Sequence, residues 1–324
     1  MLRDIVPIPI QTIIGRTMSE GCTQSEITTF DNCAMLWLWR YGMLLRRKGS
    51  MSWASIYGTA AHSTWEQMYA TKGQRWSPAA LKIPADVVMT VERQKQKEYW
   101  EGVLDVQMRK YAEYYKDDFT LWNIKDIEVD VDVVFEGLRL RGKIDLTFTE
   151  HDGRFWLLDF KTTSRLDLPT VLGWDFRFQF MFYLWLATLQ LKDVKFAGYY
   201  INALKKPSIK VKQNEALPTY LGRLEGEMGA EPDKYYYRSR LLLTSTSLSY
   251  FESNVLRPKL ERIKLLTNPN ISDTVKESLC GNMNTDHCQR YGACEFLPLC
   301  EHGYDLESFQ YEERRAKHEE LEEE

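Results

Sequence analysis

The chain has 324 residues, 44% of them hydrophobic and 27% charged, enough to bury a core without cross-links, and this excludes fibrous, collagen-like and wholly disordered classes. The net charge of −4 belongs to the end of the chain: Asp305 to Glu324 hold nine acids against three bases, leaving the rest at +2, so the sum does not argue against a nucleic-acid partner. Six cysteines are too few for a disulfide scaffold, yet four of them lie between residues 280 and 300, which asks for a metal or redox explanation.

In chain order, Met1 to Arg16 carries Asp4 and two prolines in its apolar stretch, which suits neither a signal nor a transit peptide. Residues 23–48 read as a helix capped by Thr28 or Thr29, and Gly58–Tyr69 and Val88–Tyr115 read as two more. From Ile127 to Thr149 the period changes to two, the strand signature. Glu150-His151-Asp152-Gly153 is a turn, and Arg154–Lys161 returns as the second strand of a hairpin.

A helix over Phe176–Leu191 follows, then a strand over Val194–Ala203, a basic loop from Lys205 to Lys212, and helices over Leu217–Glu227 and Ser247–Leu266. The apolar run Phe178–Leu191 is well short of the roughly 20 residues that span a bilayer. The expectation is a cytoplasmic protein with no membrane contact, whose thiols stay reduced. The pattern predicts an α/β fold, a mixed sheet flanked by helices. Its expected divisions are a helical region at 1–125, an α/β core at 126–203, a helical and cysteine-rich region at 204–304, and an acidic tail at 305–324 that ends as a solvated helix.

Chemistry concentrates on the hairpin. Asp159 and Lys161 are two apart and share a strand face. With the turn centred on Asp152, Asp145 stands directly opposite Asp159, where Cβ atoms are about 4.5–5.5 Å apart. Two carboxylates that close repel unless a cation lies between them, and Mg²⁺ or Mn²⁺ suits oxygen ligands. An Asp-x-Lys pair alone is ordinarily a solvated ion pair. Here Trp156, Leu157, Leu158 and Phe160 make the strand apolar on both faces, so the charges sit at the end of a buried strand.

Gly142-Lys143-Ile144-Asp145 followed by Leu158-Asp159-Phe160-Lys161-Thr162-Thr163 resembles the core motif of the PD-(D/E)XK nuclease superfamily, and more narrowly that of RecB-like exonucleases. Gly58-Thr59-Ala60-Ala61-His62 resembles the upstream GxxxH of that subgroup, and Gln179 to Tyr183 its downstream QxxxY. The resemblance implies a restriction-endonuclease-like core with helical insertions. It implies that Asp145, Asp159 and His62, with the Phe160 carbonyl, hold one or two Mg²⁺ or Mn²⁺ ions. It further implies that Lys161 positions the attacking water and that Gln179 and Tyr183 brace the site or the strand.

Cys288, Cys294 and Cys300 are spaced six apart, and Cys33 lies far upstream. They resemble the four-cysteine iron–sulfur staple of some RecB-like nucleases, which implies a 4Fe-4S cluster closing a loop of roughly 260 residues. Five residues between successive cysteines depart from the tighter spacing of many relatives, and structural zinc is the rival. Cys280 could substitute for one ligand, although the 288/294/300 set is the expected one; Cys22 and Cys280 otherwise read as plain thiols.

Arg40, Arg46, Arg47 and Lys48, interleaved with Trp37, Trp39 and Tyr41, could bind phosphate and stack unpaired bases. Lys205, Lys206, Lys210 and Lys212 form a second basic cluster. The expected function is a metal-dependent DNA exonuclease acting on ends in repair, recombination or phage DNA processing, with single-stranded or free-ended DNA and a helicase or recombination partner. The family makes a bacterial or phage source the expectation. The alternatives are a DNA-end-binding adaptor with a vestigial site and an endonuclease of the same superfamily.

Overall fold

The period-two stretch of the sequence becomes three consecutive antiparallel strands in the computed structural model, which describes residues 9–167, 178–289, 293–318 and 321. The strands are β1 (Cys22–Thr23), β2 (Leu45–Arg47), β3 (Asn123–Phe135), β4 (Leu138–Thr149), β5 (Phe155–Thr163), β6 (Phe196–Lys205), β7 (Tyr236–Leu242) and β8 (Tyr311–Glu313). The stretch expected as one strand from Ile127 is therefore two, divided at Glu136 and Gly137. Both of these have positive φ, 48° and 84°, as a primed hairpin turn requires.

The main sheet has six strands and is mixed. β4 pairs antiparallel with β3 and β5, and parallel with the two-residue β1; β6 lies parallel to β5 and antiparallel to β7. The crossover from β5 to β6 runs through the helix Phe178–Gln190, as a parallel pair demands. That helix was expected from Phe176; residues 176 and 177 lie outside the described ones. β7 carries no clear alternation in the sequence and is a strand through its seven pairs with β6.

Side chains of β5 alternate between two apolar layers. Leu157 joins the layer formed with the Phe178–Gln190 helix and the N-terminal helices. Trp156, Leu158 and Phe160 join the layer formed with the helices Trp53–Ala70, Val91–Tyr114 and Leu217–Ala230. Both faces of the sheet are thus covered, which explains why this strand is apolar throughout. At its open end only Asp159, Lys161 and the threonines that follow leave the apolar pattern.

The helix expected over 23–48 is broken. Cys33 is extended, with φ −159° and ψ 107°, between Gln24–Asn32 and Ala34–Trp37, and the chain passes through a π turn to Gly42 before entering β2. The described part of the last segment, 305–318, is folded onto the rest of the chain, and most of the final acidic residues lie outside the described ones. β8 pairs antiparallel with β2, and Lys317 and His318 are buried against Glu26 of the first layer. Among the described residues, no helix is long and apolar enough to cross a membrane.

Candidate active site

The β4–β5 ladder pairs Leu146 with Leu158 and Thr149 with Phe155, so the next pair outward in this register is Asp145 with Asp159, as the turn-centred count expects. Regular pairing stops just before them. The Phe160 amide instead donates to Asp145 Oδ2 at 2.6 Å, which fixes the carboxylate at the mouth of the sheet. Lys161 Nζ reaches Asp159 Oδ2 at 2.7 Å, and Gln179 Nε2, from the crossover helix, donates to Asp159 Oδ1 at 3.3 Å.

His62 comes from the opposite layer. Ser52 caps its helix by accepting from the Ser55 amide, and at Gly58 the bare helix face passes close to Thr162 at the end of β5. One turn later His62 Nδ1 lies 3.5 Å from Asp145 Oδ2, its ring edge-on to Trp65 and Phe160. Trp65 in turn stacks on Phe160 at 4.5 Å. Gly142 and Tyr183 pack together: a Cβ at Gly142 would stand 2.7 Å from Tyr183 Cε1. The glycine of one motif makes room for the tyrosine of another.

These groups line a cleft of about 690 Å³ that also includes Lys82, Lys143, Glu66 and Glu128. The crowding shifts their protonation. Burial, together with the Asp145 charge, pushes the Asp159 carboxyl up to about 6, although Lys161 opposes this. Burial would raise Asp145 too, but His62, Lys161 and the Phe160 amide hold it below the usual carboxylate range. For His62, burial favours the neutral ring, and Asp145 more than offsets that, so its pKa is raised.

Glu128 escaped the sequence reading. It is one of four alternating acids in β3, Asp126, Glu128, Asp130 and Asp132, and alternation alone makes such a row a solvated face. It is the one of the four with positive φ, 52°. Burial first, then the Asp145 charge, push its carboxyl up to about 7 despite Lys143. Its ligand atom, with those of His62 and Asp145, forms a group lying within 4.8 Å of one another.

The four cysteines expected to act together lie in one neighbourhood, near enough for the Cys33, Cys288 and Cys294 charges to act on Cys300. Cys33 accepts from the Asn284 amide at 3.5 Å, and the Cys294 amide donates to the Cys288 carbonyl at 2.8 Å. Cys300 Sγ accepts from Trp39 Nε1 at 3.4 Å. Burial and then the Cys294, Cys33 and Cys288 charges push the Cys300 thiol up to about 11, although Trp39 opposes this. Cys280 is fully buried in the same apolar layer as Cys33, against which Cys294 and Cys300 also pack.

The basic run is placed differently from its expected use. Arg40 pairs with Glu295 at 2.5 Å and Arg46 with Glu312 at 2.6 Å. Arg47 donates to Gln310 and Lys48 to the Phe309 carbonyl. Trp37, Trp39 and Tyr41 are buried in the first layer, so these rings are core and cannot stack bases as they stand. None of the four basic residues lines the cleft. Of the second cluster, Lys206 sits over the Tyr57 ring and donates to the Ala54 carbonyl at the cleft rim.

The family model that matches the chain, over residues 22–301, is that of the PD-(D/E)XK nuclease superfamily. No curated protein matches. Among solved structures, the chain is similar to a protein from Eubacterium rectale named as a candidate exonuclease, with 14% identity, a TM-score of 0.44, and coverage of 80% of this chain and 85% of that one.

Proposed function

Because this chain belongs to the PD-(D/E)XK nuclease superfamily, whose members are metal-dependent nucleases, we propose that it is a DNA exonuclease of the RecB-like type. The observation that carries this reading is the meeting of His62, Asp145, Asp159, Lys161 and Gln179, drawn from both helical layers and two strands, in one cleft.

The residues suit a divalent cation. Asp159 is 8% exposed, and its Oδ2 has the Lys161 ion pair but no well-directed hydrogen bond. The cleft lining carries four carboxylates beside the His62 imidazole, a donor set that suits a divalent cation. Asp145, Asp159, the Phe160 carbonyl and His62 would hold Mg²⁺ or Mn²⁺, which lowers the pKa of bound water and polarises the phosphoryl oxygen. Lys161 orients the attacking water and offsets charge growing on phosphorus-bound oxygen. Gln179 fixes the Asp159 carboxylate, and Tyr183 on Gly142 sets the helix that carries Gln179. Lys82 and Lys143 are placed to meet phosphates along the cleft.

With Mn²⁺, linear DNA should be degraded progressively from its ends while covalently closed circles of the same sequence survive, read on end-labelled gels. A cut circle would overturn the exonuclease reading in favour of an endonuclease. End binding with neither substrate cut would favour the adaptor.

The four cysteines are the proposed ligands of a 4Fe-4S cluster, a staple between the Cys33 region and the C-terminal segment. Among the described residues, no three of the sulfurs lie within 4.8 Å of one another. Tetrahedral zinc, with Zn–S near 2.3 Å, needs sulfurs about 3.8 Å apart. Protein purified anaerobically should be brown, and Cys294→Ala should bleach it. A colourless protein with stoichiometric zinc would end the iron proposal.

A further inference from the structure

Lys206 has no part in the mechanism above, yet its backbone is fastened from several sides. Its amide donates to the Thr163 carbonyl at the end of β5 at 2.7 Å. The preceding carbonyl, of Lys205, accepts from Gln107 Nε2 at 2.7 Å, and the Lys205 amide donates to the Tyr235 carbonyl at 2.8 Å. Gln107 is itself fully buried and accepts from the Tyr57 hydroxyl, so the helices Trp53–Ala70 and Val91–Tyr114 together grip the end of β6. Pro207 follows and removes one more backbone freedom.

The side chain is held as well. Its ammonium donates to the Ala54 carbonyl at 3.2 Å and lies 5.4 Å from the centre of the Tyr57 ring, a face that attracts a cation. Burial lowers its pKa, and among the described residues no carboxylate acts against that. Lys161 and Lys143, in the same cleft, face Asp159 and Glu128. Ordering a lysine side chain costs rotamer entropy, and a lysine withdrawn from water is ordinarily paired with an acid. Lys206 is ordered, half-buried and, among the described residues, without a counter-ion.

The sheet register gives its place relative to the chemistry. β5 and β6 are parallel, with Lys161 opposite Ala203 and Thr163 opposite Lys205. Lys206 is therefore one strand over and three residues further out than Lys161, roughly 10 Å along the strand direction. Ala54, whose carbonyl it meets, and Thr162 both line the cleft. That separation is too long for a phosphate held at Asp159 and Lys161 and suits its neighbour on the same strand. We propose that Lys206 is a substrate-binding residue that holds the DNA phosphate flanking the one being cut, as a preformed cation at the rim of the cleft. Because the ammonium is already immobile, the contact forfeits little side-chain entropy on binding, and it reads no base. This inference rests on the DNA-cleaving reading of the cleft, and the test separates the two.

Initial cleavage rates are measured on short end-labelled DNA with Mn²⁺ at several salt concentrations. Lys206→Gln, which can still donate to the Ala54 carbonyl, should raise KM about tenfold with kcat unchanged, the mark of binding shared by ground and transition states. The slope of log kcat/KM against log salt should fall in magnitude by about 1, the share of one phosphate contact. Lys206→Arg should keep both near the wild-type values. A single methylphosphonate beside the first bond cut should cost the wild type a similar factor and Lys206→Gln almost nothing. Unchanged KM and slope in Lys206→Gln, or a fall in kcat alone, would overturn the proposal, while cleavage by the wild type keeps the nuclease reading. If that variant does not fold, a wild type indifferent to neutral phosphates on either side of the cut overturns it equally. A wild type that cuts no DNA removes both.

Discussion

Asp159→Asn is expected to lower the rate of DNA cleavage by about 10³-fold or more, the scale of losing an electrostatic contact made in the transition state. Asn keeps the shape and the Gln179 contact but removes the charge that pairs with Lys161. Lys161→Ala should fall by a similar factor, because the water then loses its positioning group. The fold should survive both changes. Burial and Asp145 raise the Asp159 pKa to about 6 from an ordinary 3.8. An acid whose folded pKa is raised costs stability above that value, and the cost disappears below the unfolded one. In EDTA at pH 7–8, Asp159→Asn should therefore melt at or above the wild-type temperature, and at pH 4 the difference should shrink. Retention of a tenth of the wild-type cleavage rate would contradict the assignment.

The largest stability effect is expected far from the chemistry, at Lys317→Met. The Lys317 ammonium and the Glu26 carboxylate are fully buried and 2.9 Å apart. Glu26 also accepts from Trp37 Nε1 at 2.8 Å, and Lys317 donates to the Gly21 carbonyl. Removing Lys317 leaves the buried Glu26 carboxylate with His318 as its one remaining cationic partner among the described residues, a loss of up to about 3–5 kcal/mol that should lower Tm by roughly 5–15 °C. The double change Glu26→Leu with Lys317→Met should recover more than half of that loss, since an apolar replacement leaves no orphan charge. A single variant melting within 2 °C, roughly within 1 kcal/mol, would contradict the burial. Burial would raise the Glu26 pKa, but Lys317 and His318 hold it below the ordinary 4.5. The pair's contribution is therefore complete above that value and is lost as pH falls through the lowered one.

The hairpin and its register were legible because side-chain period and turn position are local properties. Asp145 and Asp159 could be set opposite each other by counting from Asp152, and the ladder has that register. The family motifs were legible for the same reason, being short and contiguous. What escaped depends on contacts between distant segments. Cys33 interrupts an otherwise continuous helical pattern, and only its approach to Asn284 and the C-terminal cysteines explains the extended backbone there. Trp37 and Trp39 beside arginines looked like a stacking surface; the core claims the rings and the arginines turn to residues 295–312. Glu128 could not be told from its three acidic neighbours, because a row of alternating acids carries no record of which one turns inward. Lys317 and His318 stand in the most acidic stretch of the chain, where composition argues for solvent, and one buried glutamate overrides it.

The latch between Glu26 and Lys317 also orders events during synthesis. Chains emerge from the ribosome N-terminus first, so Glu26 and β2 exist long before Lys317 and β8 can meet them. Until about residue 318 has emerged, the layer behind the sheet contains an unneutralised carboxylate and an unpaired strand edge. The cleft residues, all but Leu321 of them earlier in the sequence, therefore sit on a scaffold that tightens only once residue 318 has emerged. Chains stopped before Lys317 would carry every motif residue and still lack the rigidity to hold them.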